Sequence, residues 1–223
     1  MLTESASSIR QGRRVCTSGD LDDTDTLKYS GGCGPVDGFV ADRIVGMATP
    51  KRDRPQLPPG YITRAPKGML TWASVQRMLR TARYLWISTT GADGAPHLVE
   101  QWCAWVDDTL YFEGSERTRW ARNLARDPRL AFGVQVGDRA AYGQAVVDVA
   151  RGLERAVAAR IARQYAAKYG ADFDYRPPVD QYVSGPIFRA RPTKLIAFDV
   201  RRFNTSATRF TFQRAGEEKA DDQ

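Results

Sequence analysis

Histidine is nearly absent from this sequence, which has one histidine, His97, in 223 residues. Metal centres built from several histidines are therefore excluded, and a Ser-His-Asp triad would have to use that one ring. Glycine-rich nucleotide motifs are missing as well, since neither GxGxxG nor GxxxxGK followed by Ser or Thr occurs. The sequence thus lacks the usual cradles for a dinucleotide or a nucleoside triphosphate.

Cysteine and long apolar runs are also scarce. The three cysteines, Cys16, Cys33 and Cys103, are odd in number, lie far apart and form no CxxC pair, which argues against a disulfide framework or a zinc site. No apolar run approaches the roughly 20 residues of a membrane helix, and the N-terminus lacks the apolar segment of a secretory signal. We therefore expect a reduced, cytoplasmic protein that does not enter a membrane.

Positive charge is concentrated in the larger part of the chain. The formal net charge is +7, with about −2 in residues 1–46 and about +9 in residues 47–223. Such a domain favours an anionic partner, either a phosphate-bearing cofactor or a nucleic acid, although solvated arginines on helix faces would give the same composition. Because the sequence has no helix-turn-helix pattern and no basic stretch interleaved with aromatic residues, we do not expect nucleic-acid binding.

Composition divides the chain into four parts. Residues 1–46 show neither helical nor strand periodicity, so we expect a disordered extension there, and Met47 is an alternative start of the protein. Residues 47–70 form a polar, proline-rich lead-in, and residues 71–212 carry the periodic segments of one domain. Residues 213–223 are expected to be a disordered tail.

Hydrophobic periodicity within the domain predicts mostly strands. Thr71 can cap a first helix, and Asp148 is expected to cap the longest helix, which would end before Gly170. An irregular loop is expected over residues 171–185. The predicted strands are Tyr84–Thr90, Pro96–Val106, Thr109–Glu113, Leu130–Val136, Arg139–Val147, Ile187–Arg191, Lys194–Val200 and Thr208–Phe212. A short helix, Thr118–Arg126, is predicted between the third and fourth of them. So many short antiparallel strands with two or three helices favour a small barrel capped by helices over a doubly wound sheet.

The start of the short helix has the chemistry of a phosphate site. Thr118 and Arg119 stand where a polar loop meets the helix N-terminus. Unpaired N–H groups, the positive end of the helix dipole and a bidentate arginine all favour an anion at such a place. A capped surface helix with solvated arginines is the other interpretation of the same residues.

Several segments together resemble the pyridoxamine 5′-phosphate oxidase-like flavin and deazaflavin oxidoreductases. In chain order they are DGAPH, TLYF, RNLARDPR, QYAAKYG, FRARPTK and SATRFTF. The resemblance covers roughly residues 57–212, and the order of these segments is more specific than any one of them. The resemblance implies a mainly β protein, a six-stranded antiparallel split β-barrel with flanking helices.

The resemblance also implies which positions bind the cofactor. The strand that runs alongside the isoalloxazine ring in the family carries here His97, Leu98, Val99, Glu100, Gln101 and Trp102. The family's Ser-Arg-Lys phosphate motif is matched by Thr118, Arg119 and Trp120, so a hydroxyl and one cation are kept, while an indole that could stack on a ring replaces the lysine. Because the family dimerises with its cofactors in the interface, we expect a homodimer in which Arg209 reaches the partner's site.

The function that the resemblance implies is an FMN-dependent oxidoreductase, in which the protein binds and orients the flavin and the flavin carries out the redox chemistry. Coenzyme F420, a deazaflavin with an acidic tail, is the close alternative and suits the basic domain. A second class is a non-catalytic protein that binds flavin or haem, with His97 as the only histidine available to haem. The sequence identifies no catalytic residue, no metal site and no substrate.

Overall fold

The computed structural model describes residues 49–212. The expectations for residues 1–46, for Met47 as a start and for residues 213–223 lie outside the described residues. The elements are, in chain order, β1 (Lys51–Asp53), α1 (Trp72–Thr81), β2 (Tyr84–Thr90), β3 (Pro96–Val106), β4 (Thr109–Phe112), α2 (Arg119–Arg126), β5 (Arg129–Val136), β6 (Arg139–Arg151), α3 (Arg155–Tyr169), α4 (Val179–Ser184), β7 (Pro186–Asp199), a 3₁₀ turn (Val200–Arg202), α5 (Phe203–Ser206) and β8 (Thr208–Thr211).

Local signals in the sequence place most of these elements. The Thr71 side chain accepts from the Ser74 N–H and so caps α1, which buries Val75, Met78 and Leu79 on one face. The residues of β2 alternate between exposed and buried, as expected for a strand with one face on a core. The β2–β3 hairpin and the helix α2 lie where the sequence predicts them, within one or two residues.

Six strands close into an antiparallel barrel. Their order is β7-β4-β3-β2-β5-β6, and β6 pairs back onto β7, while β8 and β1 extend the sheet outward from β7. Closure gives each of the six strands a neighbouring strand on both sides over at least part of its length, which removes most of the exposed edges of an open sheet. The predicted fold, mainly β with a six-stranded antiparallel barrel and flanking helices, is confirmed.

The longest helix begins later than the sequence predicts. Asp148 does not cap it, because β6 continues through Arg151 and α3 begins only at Arg155. The Asp148 carboxylate instead forms ion pairs with Arg189 and Arg191 of β7, at 2.7 and 2.6 Å. Opposite charges across neighbouring strands stabilise the pairing, so this segment is held as a strand.

Four further details differ from the prediction. The loop expected over residues 171–185 contains the short helix α4. The two strands expected on either side of Pro192 form the single strand β7. β1 has no counterpart in the prediction, because three residues are too few to show alternation. Gly170 ends α3 with a right-handed φ of −68° instead of the left-handed conformation of a C′ glycine.

Two hydrophobic cores hold the elements together. Side chains inside the barrel form the first core, and α2 closes one end of it with Trp120, Ala121 and Leu124. The second core lies outside the barrel, where α3 and α4 pack on the outward faces of β3, β4 and neighbouring strands. α3 leaves the first half of β3 uncovered, so that Leu98 and Glu100 are exposed.

Candidate functional site

β3 changes its pairing partner midway along its length. Its first half, Pro96–Trp102, pairs with β2, and its second half, Cys103–Val106, pairs with β4. Each half therefore has one edge with no strand beside it. Because every second residue of a strand directs its N–H and C=O toward a given edge, these groups must find other partners or remain unpaired.

In the second half of β3, side chains of α3 cover the edge that has no neighbouring strand. Gln164 accepts from the Trp105 N–H at 3.0 Å and donates to the Trp105 C=O at 2.6 Å, as a residue of a neighbouring strand would. Lys168 donates to the Cys103 C=O at 2.8 Å, and the Tyr169 hydroxyl accepts from the Cys103 N–H at 2.9 Å. The backbone groups of this half are therefore satisfied.

The unpaired edge of the first half, which we call the open edge, has no such cover. β4 ends at Phe112, and the chain then leaves the sheet through residues 113–117 to reach α2. Within residues 49–212, no strand and no side chain hydrogen-bonds to this edge between Pro96 and Gln101. An unpaired strand edge offers a row of donors and acceptors to a ligand.

α2 packs against β2, the strand that pairs with the first half of β3. The Asn123 side chain of α2 donates to the Thr89 hydroxyl of β2 at 3.1 Å, and both residues are buried. In the β2–β3 turn, the pKa of Asp93 is lowered first by backbone N–H groups that donate to it and in smaller part by the charge of Arg119. Arg119 therefore lies close to the turn that leads into β3.

The first turn of α2 offers several donors to an anion. Thr118 is the N-cap: its hydroxyl accepts from the Ala121 N–H at 3.3 Å and donates to the Ser115 C=O at 2.9 Å. Among the described residues, the N–H groups of Arg119 and Trp120 have no acceptor, and the exposed Arg119 side chain has no hydrogen bond or ion pair. Two N–H groups at a helix start and one guanidinium can converge on a phosphate.

The Trp120 side chain points into the barrel. Its indole is 3% exposed and packs against Phe112 and Phe188. A β-carbon added to Gly114 would lie 2.4 Å from the indole Cζ2, so the loop before α2 passes over the ring at a distance that only glycine allows. In this position the indole packs the core, and the stacking on a cofactor ring that the resemblance suggested is not available to it.

We expect Gly114→Ala to destabilise the protein by about 1–2 kcal/mol, because overpacking a core typically costs about 1–3 kcal/mol. The same substitution should cost less in a Trp120→Phe background, where the smaller ring lacks the outer carbons of the indole. Urea unfolding of the four proteins in this double-mutant cycle measures both values. Equal costs in the two backgrounds would show that the loop does not rest on the indole.

The six residues predicted to lie beside the isoalloxazine ring alternate between the two faces of β3. His97, Val99 and Gln101 are the register partners of Thr89, Ile87 and Leu85, three buried residues of β2, and so face the barrel interior. Leu98, Glu100 and Trp102 face outward. The His97 Nε2 atom is buried and has no hydrogen-bond partner within residues 49–212.

The outward side of the barrel carries one row of residues that crosses seven strands. From β3 to β1 the register partners are Glu100, Trp86, Gly133, Tyr142, Ile196, Arg209 and Asp53. Trp86 and Tyr142 are 47% and 45% exposed, and Leu98 in the next row is 62% exposed. We call the surface that these three residues form the apolar face, and such a cluster is typical of an interaction surface.

Arg209 stands near the other end of this row from the open edge. Its guanidinium binds Asp53 of β1 through two hydrogen bonds of 2.7 and 2.8 Å, which fixes the short strand β1 to β8. β2, β5, β6 and β7 lie between Arg209 and Glu100 in the row. Around the other side of the closed barrel, β7 and β4 lie between β8, which carries Arg209, and β3.

A groove of about 580 Å³ opens on the same outward side of the barrel. It is lined by Ser88, Thr90, Asp127, Arg129, Leu130, Ala131, Gln144, Ala145, Val146, Thr193 and Phe212. Ser88 is the register partner of the exposed Leu98, so the groove begins one strand away from the open half of β3. At its rim, Arg129 lowers the pKa of Asp127 to about 2 through their hydrogen bonds.

Sequence reasoning missed a half-buried carboxylate, Glu113, directly after β4. Glu113 accepts hydrogen bonds from the Tyr175 hydroxyl at 2.6 Å, from the Tyr182 hydroxyl and from the Gln181 amide at 3.1 Å. Burial raises the pKa of Glu113 by more than these three donors lower it. The one signal in the sequence is a carboxylate placed directly after the apolar segment TLYF, and it says nothing of partners more than 60 residues away.

We expect Glu113 to make the free energy of unfolding fall as the pH rises. Its carboxyl binds a proton more tightly in the folded state than in the unfolded chain, where the ordinary pKa is 4.5. The stabilisation is therefore complete below that value and is lost as the pH rises through the folded pKa. Urea unfolding over a pH series should give a less negative slope for Glu113→Gln, and identical slopes would assign the dependence to other groups.

Two kinds of site find no support in the described part of the chain. No group of three or more His, Cys, Asp or Glu residues there is placed to hold a metal ion. None of the helices between residues 49 and 212 combines the length and the apolar character that a membrane crossing requires.

Comparison with solved structures finds the same fold. A conserved hypothetical protein, Rv2991, from Mycobacterium tuberculosis matches with a TM-score of 0.50 and 23% identity, over 66% of this chain and 91% of that one. An F420 reductase matches with a TM-score of 0.42 and 23% identity, over 54% and 94% of the two chains. A pyridoxamine 5′-phosphate oxidase-related, FMN-binding protein from Nostoc punctiforme matches with a TM-score of 0.43 and 13% identity, over 65% and 87%.

Sequence comparison identifies the family. A search of curated proteins gave no significant match. The family model of pyridoxamine 5′-phosphate oxidase, however, matches residues 71–205, more than half of the chain. This range runs from the cap of α1 to α5 and contains all six strands of the barrel, the open edge and the start of α2. The chain therefore belongs to the pyridoxamine 5′-phosphate oxidase family.

Proposed function

We propose that this protein is an oxidoreductase that binds FMN between the open edge of β3 and the start of α2, and that it acts on a small molecule. The observation that carries the proposal is the unpaired half of β3 beside a helix start with two unpaired N–H groups and an arginine that has no partner among the described residues. Family membership supports a flavin, and the basic charge of the domain supports a phosphate-bearing one.

The residues of this chain have separate tasks in the proposed site. Arg119 and the first N–H groups of α2 would hold the phosphate, with Thr118 fixing the turn that presents them. The outward side chains of Leu98 and Trp102 would pack against the ring system. Backbone groups of the open edge would pair with the polar atoms of the flavin, much as an edge strand pairs with an added strand. The bound flavin would supply the redox chemistry.

Coenzyme F420 is the second candidate for the cofactor. Its acidic tail requires more positive charge than the single phosphate of FMN. Arg117 and Arg122, on either side of Arg119 in the sequence, are exposed and form no ion pair within residues 49–212. These two arginines would extend the cationic surface beyond the phosphate and so favour a longer anion.

A non-catalytic flavin or haem protein is the alternative from another class. Haem would need His97 as its ligand, and the buried Nε2 atom of that ring would have to rotate out of the barrel wall. A non-catalytic flavin protein would use the same site as the oxidoreductase but would not exchange electrons with a substrate.

Purification of the full-length protein tests the proposed cofactor. The visible spectrum should be that of a flavin or a deazaflavin, and mass spectrometry of the molecule released on denaturation should identify FMN or F420. Reduction of that cofactor by a nicotinamide nucleotide or another donor would establish redox activity. A Soret band, with haem released on denaturation, would contradict the proposal.

We further propose a homodimer in which the apolar faces of two copies pack together. Three large exposed apolar side chains on one sheet face support an interface. Arg209 lies in the same row, and in such a dimer we expect it to reach the cofactor site of the partner. The cofactor would then lie between the two barrels.

The double substitution Trp86→Ser with Tyr142→Ser should convert the dimer to a monomer and weaken cofactor binding, because buried aromatic side chains dominate the energy of interfaces. Light scattering at micromolar concentration measures the mass. Val200→Ser is the matched control, since Val200 is 54% exposed but lies outside the apolar face. A native protein that is monomeric and still binds flavin would contradict the interface model.

A further inference from the structure

The second core contains an unbroken series of oxidisable rings. Trp102 stacks on Tyr169 with ring centroids 4.2 Å apart and planes inclined by 6°. Tyr169 contacts Tyr165 at 5.4 Å, and Tyr165 contacts Tyr182 at 6.0 Å. A second branch leads directly from Trp102 to Tyr175, with centroids 5.5 Å apart. Indole and phenol are the aromatic side chains that lose one electron most easily, and rings in van der Waals contact exchange electrons readily.

Both branches end at the same carboxylate. The hydroxyls of Tyr182 and Tyr175 donate to the two different oxygens of Glu113. Burial raises the pKa of Tyr182 and raises that of Tyr175 to about 12, so neither phenol releases its proton to water at neutral pH. An oxidised phenol, in contrast, is a strong acid, and a buried one needs an acceptor that is already hydrogen-bonded to it. Glu113 is such an acceptor for both phenols.

The other end of the series lies at the candidate site. Trp102 is the last residue of the first half of β3, faces outward and is half-buried. It is therefore the member of the series that lies next to the open edge along β3. Tyr165, Tyr169 and Tyr182 are shielded, at 1% exposure or less, whereas Tyr175 is half-buried like Trp102.

We propose that Trp102, Tyr169, Tyr165, Tyr182 and Tyr175 form a relay that carries one-electron oxidising equivalents from the candidate site to the Tyr–Glu113 pair. The oxidant is a photoexcited flavin-type chromophore or a one-electron metal-complex oxidant. It gains one electron from Trp102, and the indole regains this electron from a tyrosine. The terminal tyrosine loses one electron to the relay and its hydroxyl proton to Glu113. The products are the reduced oxidant, a neutral tyrosyl radical and a protonated carboxyl group; a thiol or ascorbate later returns the electron, and Glu113 returns the proton.

This relay rests on the proposed function only for the natural source of the oxidant, so its test uses a soluble oxidant and protein free of cofactor. Ruthenium tris-bipyridine with persulfate, activated by light, oxidises the full-length protein, and ascorbate is added briefly to reduce radicals on exposed rings. Electron paramagnetic resonance of the frozen sample then measures the tyrosyl radical that remains. Failure of FMN binding would leave this measurement unaffected, so the two proposals fail separately.

The native protein should retain a tyrosyl signal after ascorbate treatment. Tyr175→Phe with Tyr182→Phe should lose this signal, whereas Tyr61→Phe with Tyr142→Phe, which alters two exposed tyrosines, should keep it. Trp102→Phe preserves a ring in the stack and should also lose the signal, as should Glu113→Gln, which cannot accept the proton. A signal that follows the exposed tyrosines, or that persists in both Trp102→Phe and Tyr175→Phe with Tyr182→Phe, would overturn the relay. Because three variants test the same path, a folding defect in one leaves the others decisive.

Discussion

Arg119→Ala should weaken FMN binding about ten- to a hundredfold, because a hydrogen bond to a charged group contributes about 1.5–3 kcal/mol. We expect the affinity for FMN to depend strongly on Arg119. Trp120 is buried in the barrel core and provides no second cation at the position where the family motif has lysine. Fluorescence titration of the native protein and the variant with FMN measures the change.

Arg80→Ala is the matched control for this substitution. Arg80 is exposed in the last turn of α1, so its removal changes the net charge by the same amount without altering the start of α2. If the two variants lost affinity equally, diffuse charge would account for binding and the phosphate site at Arg119 would be wrong.

Gly143→Ala should destabilise the protein by about 3 kcal/mol, the upper end of typical overpacking costs. A β-carbon at this position would lie 2.2 Å from the Lys194 carbonyl oxygen, 3.0 Å from the Leu195 Cα and 3.1 Å from the Phe132 ring. Two of these contacts are backbone atoms of β7, which cannot move without opening the β6–β7 pairing that closes the barrel. The midpoint of thermal unfolding should fall by roughly 6–12 °C for a protein of this size.

Gly133→Ala provides the comparison on the neighbouring strand β5. There an added β-carbon would meet only the Ala141 carbonyl oxygen, at 3.9 Å. Because glycine in a strand is less favourable than alanine by roughly 0.5–1 kcal/mol, this variant should be as stable as the native protein or slightly more so. Similar losses of stability in the two variants would show that barrel closure does not depend on the space at Gly143.

Local patterns explain why most of the fold could be predicted. β2, β3 and α2 have strong alternation or a clear cap, and the structure places them as the sequence indicates. The error at Asp148 has a specific cause. An aspartate before a run with helical spacing is typical of an N-cap, but its partners Arg189 and Arg191 are 41 and 43 residues away. Such cross-strand partners are not visible in a local pattern.

The candidate site could be predicted in part for the same reason. The helix start at Thr118 and Arg119 is a local signal, and the structure begins α2 at Arg119 with Thr118 as its N-cap. The change of partner along β3, which creates the open edge, depends on where β2 and β4 end. The inward orientation of Trp120 depends on Phe112 and Phe188, which belong to different strands. These features follow from closure of the barrel and not from any one segment.

The proposed site is tested most directly by titrating cofactor-free protein with ligands that carry the phosphate group and with ligands that lack it. FMN should be compared with riboflavin, and F420 with its phosphate-free deazaflavin precursor, by calorimetry under identical conditions. For one of the two pairs, we expect the phosphate-bearing member to bind at least about tenfold more tightly, as one charge-assisted hydrogen bond requires. Equal affinities within both pairs, or no binding of any of the four, would contradict a flavin phosphate site at the start of α2.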